Sequence, residues 1–220
     1  MKSIYISDFK FSIFEKSLFC GFILSVLFSF MGFSGQCDSI KDKVLRLHII
    51  ANSDLKEDQE LKLKVRDRIL KDCSEYFDQD TNNIDIARKL IQENIDGINS
   101  IARDEILKNG FKYSVNTYLT NTYFGIRNYD KITLPAGRYD ALRIVIGEGK
   151  GKNWWCVMFP PLCLPAAEKT QEQQVDEVLT PRQVDIVEGG EKYKIKFKVV
   201  EVFEIFRDWL FSLLFGKESI

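Results

Sequence analysis

The chain has 220 residues, 45% of them hydrophobic and 29% charged, and a net charge of −1. That balance excludes a disordered chain and a polytopic membrane protein, and it offers no basic field of the kind that drives non-specific nucleic-acid binding. The 5 cysteines form no Cys-x-x-Cys pattern and His48 is the only histidine, so no metal and no cofactor are expected, and any Ser–His or Cys–His mechanism must pass through His48.

Residues 17–37 carry no charge, and Leu18 to Phe33 is strongly apolar behind Lys2, Lys10 and Lys16, with Asp8 and Glu15 diluting the positive character. This is the layout of a secretory signal or an uncleaved signal anchor over residues 1–37. The uncharged stretch of ~20 residues just reaches across a bilayer as a helix. Gly32-Phe33-Ser34 offers the small-x-small pattern that signal peptidase accepts, whereas Gln36 before Cys37 is a poor lipoprotein site. A buried core helix is the plainer alternative, but such helices rarely sit at the extreme N-terminus behind lysines with no polar face.

The β-branched and leucine residues of Val44 to Ile50 predict a strand. Asn52-Ser53-Asp54 follows as a strand-to-helix turn, with Glu57 completing a capping box on Asp54. A helix to about Phe77 is expected, because Leu61, Val65, Ile69, Cys73 and Tyr76 recur at helical spacing. A second starts near Asn83, with Ile84, Ala87, Ile91, Ile95, Ile98 and Ala102 inward, and closes at Asn109-Gly110. Strands are then expected over Phe111–Phe124, Lys131–Leu134, Tyr139–Gly147 and Trp154–Phe159, the last ended by Pro160 and Pro161. Gly147 to Lys152 reads as a tight hairpin between two of them. The order β-α-α-β-β-β predicts an α/β two-layer sandwich: two amphipathic helices on a mostly antiparallel sheet. This domain occupies residues 43–166. Residues 167–191 read as a polar linker. In residues 192–220, alternation of Lys192, Lys194, Lys196 and Lys198 with apolar residues predicts a strand, followed by an amphipathic helix from Val199 to Phe215. That helix has an acidic polar side of Glu201, Glu204 and Asp208, which disfavours a membrane-surface role for it.

Candidate chemistry is sparse. A His48–Cys156 dyad oriented by Asp54 would make a thiol-dependent hydrolase, but a core or sheet-end histidine bonded to a backbone group is the preferred reading of His48. Gly147 to Lys152 lacks the Gly-Lys-Ser/Thr ending and the following helix of a phosphate loop, and an exposed basic loop is left for partner contact. Trp154 and Trp155, adjacent on a strand, must point to opposite faces, so one enters the core and the other is a candidate interface anchor. After export, Cys156 and Cys163 are close enough in sequence for a disulfide, with two buried thiols as the alternative. Cys73 belongs to a helix core and Cys20 to the export segment.

Leu47-His-Ile-Ile-Ala-Asn-Ser-Asp54, Gln59-Glu-Leu-Lys-Leu-Lys-Val-Arg-Asp67, Leu134-Pro-Ala-Gly137 and the long run from Ala141 to Cys163 resemble the stage II sporulation protein R family in one order, over about Lys43 to Leu164. The resemblance implies a non-enzymatic signal, made in the forespore and exported to the space between the septal membranes. There it would activate a membrane-embedded aspartic protease of the mother cell, which processes an inactive sigma factor precursor. The partner is therefore that protease, with no nucleic acid and only transient membrane contact during export. Candidate contact residues are Asn52, Ser53, Asp54, Lys150, Lys152, Trp154 and Trp155. The runner-up is a secreted thiol-dependent hydrolase of cell-wall peptide.

Overall fold

The computed structural model describes residues 13–73, 83–129, 131–162 and 171–215. Their elements run α1 (Ile13–Lys41), β1 (Leu45–Ile50), α2 (Lys56–Asp72), α3 (Ile84–Glu93), α4 (Ile95–Lys108), β2 (Val115–Phe124), β3 (Arg127–Tyr129), β4 (Ile132–Leu134), β5 (Gly137–Ile146), β6 (Asn153–Phe159), α5 (Gln171–Val178), α6 (Pro181–Glu188) and α7 (Gly190–Phe215). The main sheet has the order β2-β5-β1-β6, with β3 and β4 in a separate hairpin. Only β1 and β5 run parallel; β1 with β6 and β2 with β5 are antiparallel. The α/β class and the mostly antiparallel sheet agree with the sequence.

One sheet face follows strand alternation simply. Leu45, Leu47 and Ile49 of β1 join Leu142, Ile144 and Ile146 of β5, and Cys156 and Met158 of β6. Leu61, Val65 and Ile69 of α2, Ala87 and Ile91 of α3, and Ile98, Ala102 and Ile106 of α4 close over them. The expected second helix is two, because it breaks at Asn94, whose side chain donates to the Leu90 carbonyl (2.8 Å) and competes with the backbone ladder. Helix α2 ends at Asp72 with Cys73 as its cap; the expected continuation to Phe77 lies outside the described residues.

The second face corrects the two-layer expectation. It carries its own core, in which Phe33, Cys37 and Ile40 of α1, Val175 of α5, Ile186 and Val187 of α6, and Phe197 and Val200 of α7 pack on Phe124, Tyr139, Ala141 and Val157 of the sheet. Residues 167–191, expected as a linker, therefore include two helices that bury apolar side chains. The strand expected at Lys192–Val199 is helix as well. Its lysine alternation conceals the stripe Tyr193, Phe197, Val200 and Glu204, at i, i+4, i+7 and i+11, the spacing of one helix face. Two acidic residues of α7, Glu204 and Asp208, turn toward the domain. Glu204, 1% exposed, accepts from Lys41 Nζ at 2.9 Å and pairs with Arg207, while Asp208 meets Arg138 at 3.3 Å. Burial alone would lower the Lys41 pKa; the Asp38 and Glu204 carboxylates outweigh it and hold the ammonium up. Among the described residues no helix is long and apolar enough to cross a membrane.

Candidate functional site

The glycine loop after β5 is not a hairpin, because β1 lies between β5 and β6. It crosses over the C-terminal end of β1, and the crossing is stitched throughout. Gly151 N donates to Ala51 O (2.9 Å) and Lys150 N to Asn52 O (3.1 Å). The Asn52 side-chain oxygen accepts from Glu148 N (3.0 Å), and the Asp54 carboxylate from Lys152 N (2.7 Å). Glycines are required where the two segments touch. Gly147 has φ +58, and a Cβ there would strike the Asn52 amide; one on Gly151 would strike the Ser53 backbone.

Asn52 and Asp54 therefore hold the loop, and Asp54 remains exposed beside it. The capping box on Asp54 does not form: α2 has Leu55 as its N-cap with no side-chain cap bond, and Ser53 Oγ accepts from Leu55 N. Asn52 Nδ2 and Ser53 Oγ instead donate to Asp58 (2.9 and 2.6 Å), a buried carboxylate that also takes a bond from Tyr113. Burial raises the Asp58 pKa, and these bonds outweigh it to hold the carboxyl below its usual range. Lys150 and Lys152 are exposed at the same end of the sheet. Lys150 pairs with Glu148 at 2.7 Å.

Trp154 and Trp155 point to opposite faces, as alternation requires, and each is half-buried and packed. Trp154 lies beneath the Arg66 guanidinium (4.3 Å) on the helix-covered face. Trp155 stacks on His48 with ring centroids 3.7 Å apart. Each keeps part of its ring at the surface.

The His48–Trp155 stack belongs to a row that the sequence reading missed. Tyr118 pairs with Arg143, Arg143 with His48, and His48 with Trp155, so the four residues cross all four strands side by side on the second face. One step along β1, Arg46 is fully buried, with its guanidinium over Phe124 (4.0 Å) and Tyr139 (4.7 Å) and bonded to the Tyr129 hydroxyl. Arg127 of β3 approaches the Trp155 ring at 5.5 Å. The available signal was Arg46 and His48 alternating with Leu45, Leu47 and Ile49: a strand apolar on one side and carrying polar side chains on the other.

This geometry separates the proposed dyad. Cys156 pairs with Leu47 and shares its face, whereas His48 faces the other way with Trp155. Cys156 is disulfide-bonded; Cys163, its expected partner, lies outside the described residues. His48 Nε2 meets Asn153 Oδ1 at 3.1 Å, not a cysteine. Burial, reinforced by Arg143 and only partly offset by Asn153, lowers the His48 pKa to about 4, so the ring is neutral at pH 7. The free thiols of Cys37 and Cys73 are buried and pushed up to about 12, which leaves them inert. Among the described residues no cluster of His, Cys, Asp or Glu fits a metal ion.

Fold and site together define an α/β domain with a helix-covered apolar face, a strapped loop at the end of its first strand, and an arginine–aromatic row on the other face. The chain belongs to the stage II sporulation protein R family, which it matches over residues 41–169, and it is thus a protein of sporulation. Stage II sporulation protein R of Bacillus subtilis (strain 168) is 35% identical to it over 162 residues, 70% of this chain and 72% of that protein. No solved structure matches.

Proposed function

We propose that this chain is a signal exported from the forespore into the space between the septal membranes, where it activates a membrane-embedded aspartic protease of the mother cell. Activation triggers processing of an inactive sigma factor precursor. The observation that carries this reading is the family match, which spans the main sheet, helices α2 to α4 and the glycine loop.

Other features support it. Residues 17–37 carry no charge, and along α1 Phe14, Leu18, Phe19, Phe22, Phe28 and Met31 are all exposed, the character of a signal or anchor segment that needs an apolar environment. His48 and Cys156 lie on opposite faces, which takes away the dyad on which a thiol hydrolase would depend. The domain binds the protease's extracytoplasmic surface and favours its active arrangement by binding that arrangement better. The loop end of the sheet supplies contact through the exposed Lys150 and Lys152, with Asn52, Ser53 and Asp54 fixing the loop and Trp154 and Trp155 fixing the strand beside it.

The test is reconstitution in a non-sporulating host, combining the candidate protease and its sigma factor precursor with this chain, either complete or lacking residues 1–34. Processing with the complete chain alone is expected. Equal processing with the unexported form, or none with all three proteins folded and in place, overturns the reading.

A further inference from the structure

The second sheet face is only half covered. Around Arg46 it is sealed by α1, α6, α7 and the β3–β4 hairpin, but toward the ends of β1 and β5 the cover stops. Tyr118, Asn116 and Asn153 are exposed there, and Arg143, Val145 and Trp155 are half-buried.

The charges on this face are unbalanced. Arg66, Arg68, Arg88, Arg138 and Arg207 each have a carboxylate partner. Arg46, Arg127 and Arg143 have none among the described residues; each lies against an aromatic ring instead. Arg46 Nε and Nη1, Arg143 Nε and His48 Nδ1 are buried with no hydrogen-bond partner. Buried cations and donors are ordinarily paired, because desolvating them without compensation is costly. Arg46 lies in the sealed half, but Arg143 Nε, a donor without an acceptor beside the open surface, marks where an acceptor from outside is missing.

We propose that the open half of this face seats an acidic segment of a protein partner, its carboxylates paired with Arg143 and Arg127 and its apolar atoms laid on Tyr118 and Trp155. Buried Arg46 adds a positive potential behind the row. A guanidinium carries the planar fork that matches a carboxylate, and those of Arg127 and Arg143 sit beside the Trp155 and Tyr118 rings. The exposed amides of Asn116 and Asn153 suit the backbone of an extended segment. The proposal rests on the reading of this chain as a protein-binding signal.

The test places a photo-crosslinking phenylalanine analogue at Tyr118 and, separately, at Lys150 of the complete chain in sporulating cells, with the joined peptide sequenced by mass spectrometry. The expected product joins position 118 to a partner segment rich in Asp and Glu, and Arg143→Glu lowers its yield at least tenfold without lowering the yield from position 150. A product with a second copy of this chain, with an anionic polymer or lipid, or with a protein segment lacking carboxylates overturns the proposal. Silence at 118 with a product at 150 overturns this site and leaves the signalling reading standing. Silence at both, with the exported chain present, overturns both.

Discussion

The two faces of the one sheet are built from the same strands and obey different rules. Leu45, Leu47 and Ile49 on one side of β1 meet only apolar neighbours beneath α2, α3 and α4. Arg46 and His48, between them in sequence, meet aromatic rings on the other side, and Arg46 keeps two donors without acceptors. The first face is what a stable fold requires. The second buries charge at a cost that apolar residues would have avoided, and a cost retained in a small domain points to recognition rather than stability.

The comparison breaks most readily at the apolar face. Ile144→Ala is expected to cost about 2–5 kcal/mol, since Ile144 is fully buried and its removal leaves a cavity; urea unfolding measures it. Acid sharpens the contrast from the other side. An ordinary histidine value of 6.5 in the unfolded chain against about 4 in the fold means that the unfolded state takes its proton first. Stability is therefore complete above pH 6.5 and declines as pH falls toward 4, by roughly 3 kcal/mol at ~1.4 kcal/mol per unit. His48→Gln should flatten that window. Asp58, whose pKa is lowered, adds a separate loss only at still lower pH, so a profile unchanged by His48→Gln would contradict the assignment.

At the loop crossing, Gly147→Ala should cost ~1–2 kcal/mol for its left-handed backbone, and more if Asn52 cannot move aside. The smallest expected effect has the opposite sign. Arg46→Met should stabilise the fold by about 1 kcal/mol, because an unpaired buried guanidinium gives way to an apolar chain of similar length. A clear loss of stability would mean that the aromatic cage around Arg46 compensates its charge fully.

Much of the apolar face was legible in the sequence, because Leu45 to Ile50, Leu142 to Ile146 and the helical repeats of α2 to α4 declare their periods. The second face was not. Its cover comes from segments that hide their period: the lysine alternation at 192–198 imitates a strand while Tyr193, Phe197 and Val200 form a helical stripe, and the polar composition of 171–188 conceals Val175, Ile186 and Val187. The site was half legible. Residues 52–54 and 147–152 were singled out as separate features, but their joining depends on β1 lying between β5 and β6, an order no local pattern encodes. Arg143 escaped notice because only strand pairing sets it beside His48.

The division of labour between the faces is tested most directly by measuring unfolding stability and sigma factor processing together for Arg127→Glu/Arg143→Glu in the complete chain. The expected result is cooperative unfolding that shows a folded variant, with processing reduced at least tenfold. Processing at the parental level in that folded variant would contradict a recognition role for the second face.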